Sequence, residues 1–366
     1  MNNQQQTLPI GSIIGHYRVV RPLSSGGFGN TYEVEHVSLP LHRCIKEFFM
    51  RGINQRVGET VTVSVEDNRA VFDQMRTKFL KEAQRMAQFH NAHVVPVTDF
   101  FEQNGTVYYV MELIEGQSLS AMMKAQGRPF TEAEVREMLP QVLDALRGVH
   151  DKGIYHLDLK PANIMHDGDG HLWLIDFGAS KQLTPGESQT LSTSTGLCYT
   201  PGYAPSELVQ GATKYMGPWT DFYSLGATLY NLLTRQSPPE IADIEEEGAK
   251  AFDFPADVSD AMRQLVQWLM QPRRGERPQS VADIEQRLAT VADQAASSKM
   301  VDEEATVLDK GTETVKRDEG TATMKSSEEL IKSKKSEDDD TKRLFIAVTI
   351  ITFLLAGLFL LMAGIN

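Results

Sequence analysis

Cysteine is scarce in this sequence of 366 residues, which contains only Cys44 and Cys198. Two distant cysteines without a CxxC spacing provide neither a disulfide framework nor a zinc site, and they favour a reducing compartment. A basic stripe is also missing, because 49 acidic residues exceed 36 Lys and Arg and give a formal net charge of −13. This balance argues against a nucleic-acid-binding surface, so we expect no nucleic-acid partner.

Long uncharged apolar runs are absent up to residue 343, but residues 344–365 form a run of 22 (LFIAVTIITFLLAGLFLLMAGI). A helix of this length crosses the roughly 30 Å hydrocarbon core of a bilayer. The run predicts a transmembrane helix, with a buried core helix as the less favoured alternative. Lys342 and Arg343 precede it and place the rest of the chain on the cytosolic side. We therefore expect a single-pass protein of the cell membrane whose main domain lies in the cytoplasm.

The chain before this run divides into segments of different composition. Residues 291–343 are rich in Asp, Glu, Lys, Ser and Thr and predict a disordered charged linker. Residues 16–290 are expected to form one domain, preceded by a tail at 1–15. Within it, short alternating runs at 17–23, 30–37, 42–49, 94–102 and 106–113 predict strands.

Two lobes are predicted inside this domain, which belongs to the α+β class. The first, at about 16–113, is small and β-rich, with a single helix over 73–89. The second, at about 114–290, is larger and α-helical, with amphipathic segments at 131–152, 221–234, 258–270 and 281–291. A cleft between two lobes is a favoured position for a ligand site.

The segment LSSGGFGNTY at residues 23–32 is rich in glycine and lies between two predicted strands. Glycines let a backbone approach phosphate closely, although a tight hairpin turn explains the same composition. Lys46 follows on the next strand, where its ammonium group could neutralise phosphate or simply reach the surface. Glu82 on the predicted helix could orient Lys46 through an ion pair.

Two further runs carry more information. HLDLKPAN at 156–163 and DFG at 176–178 resemble the catalytic loop and the metal-binding motif of the protein-kinase family. The resemblance covers about residues 17–288 and includes an APE-like segment at 203–207. Its DxKPxN form is similar to serine/threonine kinases, and the whole pattern looks most like the bacterial branch of eukaryotic-like kinases. It implies a bilobal protein-kinase fold and an enzyme that transfers the ATP γ-phosphate to hydroxyls of protein substrates. The segment 179–199, which matches the activation loop, is rich in hydroxyls at 190–195, so we also expect autophosphorylation.

The resemblance also implies residue roles. Asp158 matches the catalytic base, Lys160 the lysine that steadies the transferred phosphate, and Thr200 the threonine that contacts the base. Lys46 matches the lysine that binds the α- and β-phosphates, paired with Glu82.

Metal and nucleotide contacts are implied in the same way. Asn163 and Asp176 match the ligands of Mg²⁺, with Mn²⁺ as an alternative. Met111 matches the gatekeeper before the hinge, and Glu207 and Arg277 match a structural ion pair. The implied ATP-binding residues are Ser24, Gly26, Gly27, Phe28, Gly29, Lys46, the hinge residues Glu112 and Ile114, and Met165.

The sequence departs from the family pattern at several positions. Leu157 replaces the arginine that usually clamps a phosphorylated activation loop, so activation should not depend on that clamp. Cys44 replaces an alanine above the adenine and is interpreted as a small apolar filler, and His156 as a packing residue. Residues 50–68 are longer than usual and indicate an extra turn or hairpin to which the sequence assigns no role.

Two other functions compete with protein phosphorylation. A pseudokinase scaffold is disfavoured because Lys46, Glu82, Asp158, Asn163 and Asp176 are all present. A small-molecule phosphotransferase is disfavoured by Thr200 and the APE-like segment, which in the family build a peptide-binding shelf.

Two partner predictions concern the C-terminal part. Thr306 with Asp309 has the form that forkhead-associated domains prefer after phosphorylation, although a plain solvated segment would look similar. Small residues repeat at Gly357 and Gly364 and would allow helix pairing in a homodimer.

Overall fold

The structure is a computed structural model that describes residues 6–27, 29–177 and 199–290. The predicted linker at 291–343 and the predicted membrane helix at 344–365 lie outside these ranges, as do Phe28 and most of the activation loop. Within the described ranges, no helix has both the length and the apolar character required to cross a bilayer.

The first lobe is built on a six-stranded antiparallel sheet. In spatial order its strands are β1 (Ile13–Ile14), β2 (Tyr17–Ser25), β3 (Gly29–His36), β4 (His42–Phe48), β8 (Thr106–Glu112) and β7 (Val97–Gln103). Strands β5 (Asn54–Val57) and β6 (Thr60–Val63) pair separately as a hairpin. The five predicted strand runs and the extra hairpin are confirmed.

Strand β4 separates two cores because alternate side chains of a strand point to opposite faces. Cys44 and Phe48 pack in the main core, which also contains the apolar side chains of the following helix. Ile45 packs in a second core on the other face, with Tyr32 and Tyr108. The same alternation directs Lys46 toward the main core and Glu47 away from it.

Helix α1 (Arg69–Ala87) is the predicted helix of this lobe, although it begins at Arg69 rather than Asp73. Its buried side chains recur at intervals of three or four residues, as a one-sided helix requires. They are Phe72, Met75, Phe79, Glu82, Ala83 and Met86. Glu82 is the charged member of this buried face.

The second lobe is mainly helical, as predicted. Its helices are α2 (Leu119–Gln126), α3 (Glu132–His150), α4 (Ser206–Val209), α5 (Pro218–Thr234), α6 (Ile241–Glu247), α7 (Asp260–Leu269) and α8 (residues 281–290). A small sheet, β9 (Gly116–Ser118), β10 (Ile164–Asp167) and β11 (Leu172–Leu174), lies in the order β11-β10-β9. The bilobal α+β architecture thus agrees with the expectation.

Threonine at 131 followed three residues later by glutamate at 134 predicts a capping box at the start of helix α3, and the structure has it. The Thr131 hydroxyl accepts from the Glu134 N–H (3.3 Å), and the Glu134 carboxylate accepts from the Thr131 N–H (2.7 Å). These two bonds satisfy donors that a helix start otherwise leaves without partners.

Candidate active site

A cleft of about 770 Å³ lies between the sheet of the first lobe and the loops of the second. Its volume is typical of sites that hold a small molecule. The predicted site residues that line it are Ser24, Gly26, Gly27, Gly29, Lys46, Glu112, Ile114, Asp158, Lys160, Asn163, Met165, Asp176 and Thr200. Phe28 lies outside the described residues, and Glu82 lines a small adjoining cavity with Met111 and Phe177. The structure therefore brings most of the predicted site residues together in one cleft, although they are far apart in the sequence.

The glycine-rich segment is both a hairpin turn and a wall of this cleft. It joins β2 to β3, and the Gly26 N–H donates to the Gly29 carbonyl (2.8 Å). A Cβ at Gly29 would lie 2.6 Å from the Glu47 carbonyl oxygen, which leaves no space for a side chain. The glycine-rich composition therefore fits both a hairpin turn and a wall of the candidate phosphate site, because one turn is in both positions.

The predicted hinge follows β8. Met111 is buried and lies opposite Cys44 in the sheet. The Glu112 N–H donates to the Pro96 carbonyl (3.2 Å), so this donor is already bonded within the protein. Burial raises the pKa of Cys44 to about 12, which keeps the thiol protonated and agrees with its interpretation as an apolar filler.

The predicted ion pair between Lys46 and Glu82 is wrong for this structure. Lys46 Nζ instead bonds to Asp176 Oδ1 (2.9 Å). Burial alone would lower the pKa of Lys46, but the Asp176 carboxylate raises it, so the ammonium form persists. Asp176 competes for Lys46 because the cleft brings both carboxylates near one cation.

Glu82 is consequently left in an unusual state. It is 5% exposed, and its Oε2 has no hydrogen-bond partner. Burial raises its pKa to about 8, although the neighbouring Lys46 acts in the opposite direction. A buried carboxyl without a hydrogen-bonded counterion favours its protonated form.

The catalytic-loop residues form a compact hydrogen-bonded group around Asp158. Lys160 Nζ donates to Asp158 Oδ2 (2.8 Å) and to Thr200 Oγ1 (2.9 Å). Thr200 Oγ1 donates to Asp158 Oδ1 (3.1 Å). Asn163 Nδ2 donates to the Asp158 carbonyl (2.8 Å) and to Oδ2 (3.0 Å). This arrangement fixes both oxygens of the Asp158 carboxylate at the cleft.

Asp221 on helix α5 holds the backbone of the catalytic loop at residues 156–157. Its carboxylate accepts from the backbone N–H groups of His156 and Leu157, each at 2.8 Å, and contacts His150 Nε2 (2.8 Å). Burial opposes ionisation, but these partners keep the pKa of Asp221 below its ordinary value. From the sequence Asp221 was expected only to open this helix, although an acid beside a long apolar helical run is itself a signal of a buried role.

These bonds stabilise a strained backbone. Leu157 has φ +60° and Asp176 has φ +58°, in the left-handed region that residues with side chains seldom adopt. Such conformations persist where surrounding contacts determine them, and they are concentrated at functional sites. Strained backbone thus occurs in both motifs, at Leu157, whose N–H is held by Asp221, and at Asp176, whose side chain bonds to Lys46.

His156 behaves as the packing residue that was expected. It is fully buried, its Nε2 contacts the Ile175 carbonyl (3.0 Å), and its ring lies 4.6 Å from that of Phe177. Burial lowers its pKa, so the ring is neutral near pH 7.

Three further residues singled out in the sequence have structural roles. Leu157 is buried in an apolar cluster with Ala204 and Leu208. The predicted ion pair is present, since Arg277 Nη1 contacts the buried Glu207 Oε1 at 2.7 Å. Both interactions attach the APE-like segment to the body of the second lobe.

Comparison with known proteins agrees with this geometry. The family model for the protein kinase domain matches residues 17–289. Serine/threonine-protein kinase PknA of Nostoc sp. is 35% identical over 62% of this chain, and serine/threonine-protein kinase F of Synechocystis sp. is 31% identical over 74%. The matched regions are 38% and 54% of those relatives, so the chain spans about half or less of their length.

Solved structures have the same fold. The structure named PpkA-294, apo form, superposes with a TM-score of 0.66 at 26% identity and covers 77% of this chain and 99% of its own. The M. tuberculosis PknI kinase domain gives a TM-score of 0.54 at 22% identity, covering 77% of this chain and 100% of its own, and supports the fold alone. The chain belongs to the protein kinase domain family.

Proposed function

We propose that this chain is a serine/threonine protein kinase that transfers the γ-phosphate of ATP to hydroxyl groups of protein substrates. The observation that carries the proposal is the group formed by Asp158, Lys160, Thr200 and Asn163, which lies in the same cleft as Lys46 and Asp176. The names of the relatives support the serine/threonine class.

The chemistry assigned to Asp158 is proton acceptance. Its carboxylate takes the proton of the substrate hydroxyl as the oxygen forms a bond to the γ-phosphorus, and the bond from that phosphorus to the bridging oxygen of ADP breaks. Lys160 lies 2.8 Å from the same carboxylate and supplies positive charge to the transferred group. Thr200 holds the second carboxylate oxygen and fixes its direction.

The donor set also fits a divalent cation. Asp176 offers a carboxylate, and Asn163 retains its carbonyl oxygen because its amide nitrogen donates to Asp158. Hard cations such as Mg²⁺ prefer oxygen ligands and usually share them with nucleotide phosphates. When bound, Mg²⁺ supplies charge neutralisation at the phosphates. Lys46 and the glycine-rich turn are assigned to the phosphates, and the hinge residues and Met165 to the adenine.

One experiment separates this proposal from its two alternatives. The full chain and its Asp158→Ala variant are incubated with labelled ATP and Mg²⁺, an added protein substrate and small hydroxyl compounds. A protein kinase labels serine or threonine in the wild type alone. A pseudokinase scaffold labels nothing, and a small-molecule phosphotransferase labels only the small compounds. Asp169→Asn, in an exposed turn, is the matched control that keeps activity.

We also propose that activity does not require a phosphate clamp at the activation loop. Leu157 offers no charge there and is buried against Ala204 and Leu208 instead. The activation-loop hydroxyls themselves lie outside the described residues. Changing Thr190, Ser192, Thr193, Ser194 and Thr195 together to alanine should leave substantial kinase activity. A near-total loss in the folded variant would contradict the proposal.

Membrane attachment remains a proposal that rests on the uncharged run at 344–365. It places the kinase domain in the cytoplasm of a single-pass membrane protein. Deletion of residues 344–366 should transfer the protein from the membrane fraction to the soluble fraction. Recovery of the deleted form in the membrane fraction would contradict it.

Two partner proposals depend on the same part of the chain. Autophosphorylated Thr306 would recruit a forkhead-associated domain, and mass spectrometry of the active protein that finds no phosphate on Thr306, Thr312 or Thr314 would exclude this. Helix pairing would produce a homodimer, whose crosslinking should decrease in Gly357→Leu and Gly364→Leu. Unchanged crosslinking would rule out that interface.

A further inference from the structure

The hairpin formed by β5 and β6 is packed closely against the sheet of the first lobe. The Val61 N–H donates to the Asn104 carbonyl (2.8 Å) in the turn between β7 and β8. Gly105 in that turn has φ +73°, and a Cβ there would lie 2.6 Å from the Val61 carbonyl oxygen. Such a close approach requires glycine, so the hairpin is a fixed part of the lobe rather than a projection into solvent.

A buried charge anchors the hairpin at its centre. Arg56 Nη2 donates to Glu47 Oε2 (2.5 Å), and both side chains are almost completely buried. Glu47 also accepts from Tyr32 (2.8 Å), Tyr108 (2.9 Å) and Asn30 (2.9 Å). Burial and the Glu47 charge raise the pKa of both tyrosines, so their hydroxyls remain protonated donors. A buried carboxylate with four donors resists the removal of any one of them.

The hairpin segment also reaches the glycine-rich turn through Arg51. The Arg51 N–H donates to the Gly27 carbonyl (3.0 Å). The Arg51 side chain donates from Nη2 to the Ser25 carbonyl (2.9 Å) and to Ser25 Oγ (2.8 Å). Arg51 therefore contacts both the end of β2 and the turn itself.

These contacts continue without a break to the buried charge. Ser25 Oγ accepts from Arg51 and donates to Asn30 Oδ1 (2.5 Å), while Asn30 Nδ2 donates to Glu47 Oε2. This series of bonds runs from Arg51 through Ser25, Asn30 and Glu47 to Arg56, and it passes the base of the turn at Ser25 and Asn30. Connected hydrogen bonds of this kind reinforce one another.

We propose that Arg51 is a positioning residue for nucleotide binding, which holds the glycine-rich turn in its binding conformation from the anchored hairpin. The inference rests on the proposed function, because the turn is there assigned to the ATP phosphates. Arg51 acts through Ser25 and Gly27. A turn that is ordered before the ligand arrives costs less entropy on binding.

The test compares Arg51→Ala with the wild-type full chain. We expect the KM for ATP and the Kd for ADP to rise about fivefold, while kcat changes less than about twofold. The variant loses the two side-chain hydrogen bonds to Ser25 at the base of the turn and keeps the backbone bond to Gly27. Amide hydrogen exchange of residues 25–30 should become faster. Arg51→Lys should recover part of both effects, because an ammonium group can still donate to Ser25.

Two further variants separate positioning from general stability. Arg18→Ala removes another exposed arginine of the first lobe, which bonds to Glu35 (3.1 Å) rather than to the turn, and should change neither binding nor exchange. Arg56→Ala removes the anchor and should loosen the hairpin and the turn together, with a lower Tm.

Each outcome decides the inference. Unchanged nucleotide affinity and unchanged exchange in a folded Arg51→Ala protein would overturn it, as would equal effects in Arg18→Ala. If the wild-type protein binds ADP but transfers no phosphate, and Arg51→Ala weakens the binding of ADP, the inference stands and the proposed function is contradicted. Wild-type protein that binds no nucleotide would overturn both.

Discussion

The catalytic loop and the Lys46 cluster line one cleft, but they differ in how completely their charged groups are paired. Around Asp158, both carboxylate oxygens have partners within 3.1 Å. Around Lys46, the ammonium bonds to Asp176, and Glu82 Oε2 is left buried without a partner. The charged groups of the catalytic loop are therefore fully paired, whereas those around Lys46, which come from both lobes, are paired only in part.

The difference follows from the contacts that support each group. Asp221 on the buried helix α5 bonds to two backbone N–H groups of the catalytic loop, so the side chains of the loop project from a fixed backbone. Lys46 bonds to Asp176 from the loop after β11, whereas Glu82 on α1 acts on it only as a nearby charge, and the three residues belong to separate elements. If Asp176 binds a metal ion, as proposed, Lys46 must find another partner, and Glu82 lies beside it.

The largest predicted effect removes the support of the catalytic-loop backbone. Asp221→Asn keeps the size of the side chain but loses the charge that contacts His150 and two backbone donors. We expect the free energy of unfolding to fall by about 3–5 kcal/mol, as in other broken buried pairs, and phosphotransfer to fall with it. Urea denaturation measures the first quantity, with Asp169→Asn as the exposed control. A loss below about 1 kcal/mol would contradict the role given to Asp221.

A smaller effect is expected at the apolar contact that attaches the APE-like segment. Leu157→Ala leaves a cavity beside Ala204 and Leu208 and should cost about 2–4 kcal/mol of unfolding free energy. Leu157→Met keeps the volume and should cost less than about 1.5 kcal/mol. Equal stability of the two variants in urea denaturation would show that this cluster does not hold the segment.

The smallest effect concerns the unpaired Glu82. Its pKa is raised from 4.5 to about 8 in the fold, so the folded state binds the proton more tightly than the unfolded state. The associated stability is complete below pH 4.5 and is lost as the pH rises through 8. Glu82→Gln should remove this loss, so it should be more stable than wild type at pH 8.5 and close to wild type at pH 4.5.

Thermal unfolding between pH 4.5 and 8.5 provides the measurement. Glu245→Gln, on the exposed side of helix α6, is the control and should follow the wild-type curve. Parallel curves for wild type and Glu82→Gln would contradict the unpaired state of this carboxyl.

Much of the fold could be predicted from the sequence because the local patterns agree with the tertiary structure. Alternation along 42–49 predicted β4, helical spacing around Phe79 predicted α1, and Thr131 with Glu134 predicted the start of α3. In each case the residues that form the pattern also bury the apolar face, so tertiary packing did not override the local preference.

The arrangement of charges was less predictable than the set of residues. Motifs located Lys46, Glu82 and Asp176, but which carboxylate holds Lys46 depends on distances across the cleft that no spacing in the sequence encodes. The Arg56–Glu47 pair was missed for a related reason. An arginine in a hairpin and a glutamate in a strand look like solvated charges until the two elements pack and exclude water.

A structure of the full-length Asp158→Ala chain with Mg²⁺ and an ATP analogue that resists hydrolysis tests the contrast between the catalytic loop and the Lys46 cluster most directly. Lys46 Nζ should lie more than 4 Å from Asp176, which it contacts at 2.9 Å in the present structure, and should approach Glu82. The Asp221 contacts to the backbone of His156 and Leu157 should stay near 2.8 Å. Retention of the Lys46–Asp176 contact, or rearrangement of the catalytic loop on Asp221, would contradict it.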